Sequence, residues 1–305
     1  MSVITQVTKP ADGASAGMRL MLLATMAVWG GNLSVVKLLI ERLEPMWVSV
    51  LRMAVASLAL WLVLGLRNLP WPRTTPRQAG MFVACAVLMV YLNQLGFTLG
   101  VQRTAAANAA LIISLNPLIS ALVGAALLGD RLTPARLAGV ALGFGGVAAV
   151  VLNRPGAALG HGSLGDLLVL GSVLTWVGGG VMVQRLARQF DSAVVSAVVF
   201  AIGTTVLLVH MALDKSLQLP AWSVFTPGTL LLLLVSGLLA SALGALVWNR
   251  SLVVLGVART ALYAYWVPIF GVLFAVLLLG EPLSLWHGVG LAAVLGGTWL
   301  GTRRH

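Results

Sequence analysis

Charge is what this sequence has least of. Lysine and arginine number 19 and aspartate and glutamate 8 in 305 residues, so charged side chains make up 9% of a chain that is 59% apolar. That is too little polar surface to cover a soluble globule of this length. The acids are scarcest where they would cost most. Asp12, Glu41, Glu44, Asp130, Asp166, Asp191, Asp214 and Glu281 all fall in the N-terminal tail, in loops or at expected helix ends. No carboxylate is left for the bilayer interior, where ionisable groups are expensive and mark pathways. One cysteine, Cys85, excludes an intrachain disulfide. The four histidines, His161, His210, His287 and His305, have no metal-ligand spacing, and no serine or cysteine stands in a catalytic frame. An enzyme is therefore not expected, nor a cofactor or metal. The net charge of +11 is spread over short loops and not gathered on one face, which argues against a nucleic-acid partner. The glycines at 178–180 and 143–146 lack the strand, Lys and Ser/Thr of a phosphate loop and read as close helix contacts.

What the chain has in abundance is long apolar runs. A helix needs about 20 largely apolar residues to cross a bilayer, and ten segments meet that length: 18–40, 47–66, 78–100, 104–128, 134–152, 164–186, 192–213, 229–251, 258–279 and 285–301. Residues 1–17 are small and polar and read as a disordered tail without a cleavable signal, and 302–305 as a second tail. Lys and Arg fix the expected orientation. With the N-terminus cytoplasmic, that side receives Lys9, Arg19, Arg67, Arg73, Arg77, Arg131, Arg136, Arg185, Arg188, Arg250, Arg259, Arg303 and Arg304. The other side receives Arg42, Arg103, Arg154 and Lys215, leaving Lys37 and Arg52 inside helices. Both termini are then expected to be cytoplasmic, and the chain is expected to lie in the inner (plasma) membrane with the lipid bilayer as its solvent.

The chain also repeats itself. Asn116-Pro117 and Leu128-Gly129-Asp130 are answered by Pro268 and Leu279-Gly280-Glu281, and the offset of 151 carries Gly139 to Gly290 and Gly145-Gly146 to Gly296-Gly297. At an offset of 147, Trp29 aligns with Trp176 and Gly31 with Gly178. Two units follow, 18–152 and 164–301, joined by a linker at 153–163. Each holds five helices. Because five is odd, the two lie in the membrane with opposite orientation, the inverted-repeat arrangement of alternating-access carriers.

Candidate residues divide by depth. Trp47, Trp71, Trp222 and Trp286 fall at helix ends or in loops, as interfacial belts do. Trp29, Trp176 and Tyr91 fall near helix centres, where an N–H or O–H has no water to bond and points to the bundle interior or a cavity. Asn32, Asn93, Gln94, Asn108 and Asn116 either glue helices together or line a polar path. Tyr263, Tyr265 and Trp266 precede Pro268 as an aromatic wall. Trp29, Asn32, Tyr91, Asn93, Trp176 and Tyr265 are the expected substrate contacts. Lys37 lies about 12 Å from the midplane at 1.5 Å per residue, placed either to snorkel or to gate the outer mouth. Arg52 is nearer the middle of its helix and needs helix-end carbonyls or an acid such as Glu44, as a structural lock or as a substrate contact. Pro117 and Pro268 remove an internal hydrogen bond and permit matched kinks. Asp130 and Glu281 are expected as corners that close helices 4 and 9 at opposite faces.

Trp29-Gly30-x-Asn32 followed by Lys37, Pro45 with Arg52-Met53-Ala54, Ala105 to Asn108, and the run from Pro117 to Leu128-Gly129-Asp130 together resemble the EamA branch of the drug/metabolite transporter superfamily. The likeness spans 18–301 in both halves. It implies an all-α polytopic membrane protein of ten transmembrane helices, a 5+5 inverted-topology repeat around a central cavity. Within the superfamily the chain looks most similar to bacterial exporters of aromatic and other neutral amino acids. The function this implies is export of such amino acids or related small metabolites by alternating access; the placement of the acids adds the expectation that no buried carboxylate relays protons, and the protein is expected to work as a monomer. Export of cationic drugs or another metabolite class is the alternative within transport, and a membrane channel or scaffold the alternative outside it. One departure is Asp130 where the family prefers Glu. Another is Gly179 and Val181 where helix 1 has Asn32 and Ser34, which makes the two cavity walls chemically unequal.

Overall fold

The computed structural model describes residues 12–69, 72–116, 118–120, 122–123, 133–152, 161–215, 217–254, 263–264 and 266–302. Ten longer helical stretches and one short 3-10 turn, Trp222–Val224, are described, with no strand among the described residues. The ten are α1 (Asp12–Ile40), α2 (Pro45–Leu66), α3 (Pro76–Arg103), α4 (Ala106–Ile113), α5 (Pro134–Leu152), α6 (His161–Leu186), α7 (Ser192–Leu213), α8 (Pro227–Leu234, continuing through Val235–Leu243 and Gly244–Val254), α9 (Trp266–Leu279) and α10 (Leu285–Thr302). Six of these contain windows long and apolar enough to cross a membrane, in α1, α2, α3, α6, α7 and α8. The other four are apolar but shorter over the described residues. The expected runs 104–128 and 258–279 are described only in part. Pro117, Asp130, Tyr265, most of the linker at 153–163 and the C-terminal residues 303–305 lie outside the described residues. Helix α1 begins at Asp12, earlier than expected, so the last residues of the supposed tail are helical.

Helix starts follow from local chemistry. Pro45, Pro76 and Pro227 stand in the first turns of α2, α3 and α8, where the missing N–H costs nothing. Thr75 and Gln78 close a capping box on α3, Asp191 accepts from Ala193 N at 2.8 Å on α7, and Thr226 accepts from Thr229 N at 3.2 Å on α8. Both α3 and α8 widen in mid-course into a π-helical segment, Val87–Leu92 in one and Val235–Leu243 in the other. Such segments are uncommon and frequently mark functional sites.

Packing turns the apolar surface outward as well as inward. Leu58, Leu62 and Leu66 on α2, Leu213 on α7, Leu231 on α8 and Leu277 on α9 are each more than 60% exposed, as lipid-facing surfaces are. Inside, α5 packs along α10, α2 along α7 and α4 along α9, three pairs five places apart in helix order, while α1 packs along α9 and α3 along α6. Glycines set the closest of these approaches. A methyl group on Gly297 would sit 2.5 Å from the Gly139 carbonyl oxygen, and one on Gly146 3.1 Å from that of Gly290. Shifting the Gly146–Gly290 pair by the 151-residue repeat offset and exchanging its members gives Gly297–Gly139. The contact is thus self-complementary, as between elements related by a twofold axis.

Candidate substrate site

A polar chain runs through the apolar interior from α1 to α6. The Ser236 hydroxyl, within the π-helical segment of α8, donates to Asn32 Oδ1 on α1 and accepts from Arg52 Nε on α2. Arg52 Nη1 donates to Gln94 Oε1 at 3.1 Å on α3. Gln94 Nε2 donates to Asn93 Oδ1 at 2.9 Å, and Asn93 Nδ2 to the Ser172 carbonyl of α6 at 2.8 Å. Five helices are joined. The Phe97 ring lies under the guanidinium, with 5.7 Å between the Arg52 Cζ and the ring centroid, close enough for a cation–π attraction. Arg52 is 2% exposed and Ser236 0%. No carboxylate partners Arg52 among the described residues, and the expected pairing with Glu44 does not occur. Glu44 precedes α2, and eight helical residues separate the two by about 12 Å along the axis.

The expected substrate residues are distributed around this chain. Trp29 donates its indole N–H to the Ala240 carbonyl at 2.8 Å, inside the α8 π-helical segment, and leans on Trp248 at 5.5 Å between ring centroids. Tyr91, on the α3 π-helical segment, holds His210 Nδ1 of α7 at 3.0 Å with the two rings edge to face. Asn32 and Asn93 belong to the polar chain itself. Trp176 is half-buried on α6 with no hydrogen bond or ring partner among the described residues. The repeat therefore gives Trp29 and Trp176 equivalent positions but different surroundings. Tyr265 lies outside the described residues.

Of the residues expected to gate or brace, Lys37 and Glu281 come to one corner. Lys37 Nζ donates to the carbonyls of Val101 at 2.8 Å and Thr104 at 2.6 Å, at the C-terminal end of α3. Cations suit that end of a helix. Glu281 accepts from Ala106 N at 2.8 Å and Ala107 N at 3.0 Å, the first amides of α4, and carboxylates suit that end. Gly280 makes this possible. Its φ of +64° is the left-handed conformation that ends α9 and swings the next residue aside. Thr104 completes the corner by donating to Asp166 Oδ1 at 2.5 Å. Pro268 is buried on α9.

Sequence reasoning did not find Ser236, Ala240 or the pairing of Gln94 with Arg52. A lone serine in a leucine-rich helix was the available signal, together with Gly237, whose Cβ position lies 2.8 Å from the Arg52 carbonyl and so brings α8 onto α2. Two surface hollows of about 480 and 400 Å³ lie at the bundle ends, lined by Leu69, Arg73, Gln189 and Asp191 in one and Arg42, Thr226 and Thr229 in the other. None of the expected substrate residues lines either.

The sequence pattern described as the EamA-like transporter family matches residues 17–152 and 163–303. An "Uncharacterized transporter" of Archaeoglobus fulgidus is 27% identical over 295 residues, covering 93% of this chain and 97% of its own. A "Probable terminal-alkyne amino-acid exporter" of Streptantibioticus cattleyicolor is 28% identical over 280 residues, covering 90% and 91%. The "Uncharacterized inner membrane transporter YedA" of Escherichia coli is 26% identical, covering 90% and 87%. A solved crystal structure superposes with a TM-score of 0.67 over 93% of this chain and 96% of that one, at 18% identity, a likeness of fold.

Proposed function

This chain belongs to the EamA-like transporter family, and on that premise we propose that it exports amino acids, aromatic and other neutral ones, or related small metabolites across the inner membrane by alternating access. The observation that carries the reading is the buried polar chain Asn32–Ser236–Arg52–Gln94–Asn93, which gives a hydrophobic bundle one hydrogen-bonding site shared by its α1, α2, α3 and α8 helices. The face of Trp29, together with Tyr91, Trp176 and Tyr265, would supply the aromatic surface for the cargo side chain. A relative described as a probable amino-acid exporter supports the substrate class.

The architecture proposed for this carrier is ten crossings in two inverted five-helix halves, 18–152 and 164–301, with both termini cytoplasmic. The self-complementary glycine contact of α5 and α10 and the paired π-helical segments of α3 and α8 support it. Those segments supply the two places where helices can reseat as one mouth closes and the other opens. The sequence leaves no acid for the expected interior of the spans, which supports transport without a carboxylate relay. Export of cationic drugs is the weaker reading, because the buried charge of this cluster is positive.

The test is competition in proteoliposomes. Neutral amino acids should compete with labelled L-phenylalanine, and lipophilic cations such as tetraphenylphosphonium should not. Competition by the cations alone reverses the assignment.

A further inference from the structure

We infer that Arg52 is the anchor for a carboxylate on the transported molecule, so that the cargo is an organic acid or zwitterion and not a neutral or cationic solute. The inference rests on the carrier reading above and deepens it. A guanidinium has five N–H donors and no acceptor. Arg52 uses one on Ser236 Oγ and one on Gln94 Oε1, and its remaining donors have no partner among the described residues. Its neighbours turn their oxygens towards it and pass their own donors outward, Ser236 to Asn32, Gln94 to Asn93 and Asn93 to the Ser172 carbonyl. The cluster is therefore rich in donors, carries one positive charge, and has its described acceptors already engaged. A group that completes it must be an acceptor and an anion, and the planar fork of arginine fits a carboxylate with two parallel bonds.

A purely structural arginine at this depth would be expected to have its charge met by an acid or its donors filled by carbonyls, since an uncompensated buried charge costs several kcal/mol. Neither is found. The site is also one-sided. Asn32 moved by the 147-residue offset of α1 and α6 falls on Gly179, and Ser236 moved by the 151 residues that separate the Thr75-Pro76 and Thr226-Pro227 caps falls on Cys85, whose thiol donates only weakly to the Gly179 carbonyl at 3.6 Å. One wall is polar and cationic and its counterpart apolar, which suits a molecule with a carboxylate at one end and a hydrocarbon side chain at the other. Entry needs the helices to part, because Arg52 is 2% exposed. Ser236 lies inside the α8 π-helical segment and Gln94 two residues beyond that of α3, the two places least bound to a fixed helical register.

The experiment is uptake by the full chain in proteoliposomes of two matched series, each compound labelled in turn. One is L-phenylalanine, phenylalaninamide, phenethylamine and 3-phenylpropionate, and the other is the same four functional groups on the leucine skeleton. The expected result is at least a tenfold preference for the compounds bearing a carboxylate. Arg52→Gln should lower their uptake on the order of 30-fold or more, as loss of one partner of a buried charged pair does. Arg52→Lys, which keeps the charge and loses the fork, should fall between. The wild-type series stands whether or not a variant folds. Equal uptake of amide, amine and acid overturns the inference and leaves the carrier reading intact, and so does Arg52→Gln protein of unchanged melting temperature with full carboxylate uptake. Failure of every carboxylate to bind or move also overturns it. Uptake of 3-phenylpropionate without L-phenylalanine upholds the anchor and removes the amino-acid reading.

Discussion

Removing the carboxylate of Glu281 should unlatch the first turn of α4. Its two oxygens accept from the amides of Ala106 and Ala107, at 2.8 and 3.0 Å. Those residues are 0% and 1% exposed, so water cannot replace the lost acceptor without opening the corner. An unsatisfied buried amide costs about 1–3 kcal/mol, and loss of an N-terminal cap about 0.5–2 kcal/mol. Because the two amides share one carboxylate and the site can relax, Glu281→Ala should destabilise by about 2–4 kcal/mol. Glu281→Gln keeps one acceptor oxygen but loses the charge that favours the helix N-terminus, and should cost about 1–2 kcal/mol. The assay has two readings. Thermal unfolding in detergent should fall by several degrees for Glu281→Ala and by less for Glu281→Gln, and amide exchange at 106–107 should accelerate before the rest of the bundle. If Glu281→Ala melts with the wild type and its α4 amides exchange no faster, the capping role is wrong.

Lys37→Met should strip the Val101 and Thr104 carbonyls of their cation and lower the melting temperature, with Lys37→Arg recovering part of it, since a charge-assisted hydrogen bond contributes about 1.5–3 kcal/mol. Trp29→Phe keeps most of the ring and loses the bond to the Ala240 carbonyl, so stability should fall by about 1 kcal/mol, measurable by chemical denaturation in detergent. Gly297→Val should separate α5 from α10, because even a Cβ would lie 2.5 Å from the Gly139 oxygen. A drop in folded yield larger than that of Gly145→Val, whose Cβ position is open, checks this. Tyr91→Phe should leave the fold intact at a cost of about 1 kcal/mol and free His210 for modification by diethylpyrocarbonate.

The helical bundle was legible because apolar runs of bilayer length leave few other folds, and the repeat because glycine and proline recur at a fixed step where close packing or a helix end demands them. Glu281 shows where that legibility stops. Leu279-Gly280-Glu281 announces a corner, since glycine adopts the left-handed conformation freely. Which helix the acid then caps depends on α4 arriving from the other half of the chain, and no local pattern encodes that. Arg52 shows the same limit. Its depth was readable from helix counting, whereas its partners Ser236 and Gln94 lie 184 and 42 residues away in sequence. The π-helical segments of α3 and α8 carry no local sequence signal. The Ala240 carbonyl of the α8 segment is met by the Trp29 indole from another helix, and nothing in Val-Ser-Gly-Leu-Leu marks the start of that segment as different from an ordinary apolar helix.

Trans-stimulation tests most directly whether this transporter is the proposed alternating-access carrier of amino acids. Proteoliposomes loaded with unlabelled L-phenylalanine should take up labelled L-phenylalanine faster than empty ones, with saturation as the outside concentration rises. Flux that grows linearly with concentration and is indifferent to what the vesicles contain would identify a channel and contradict the account.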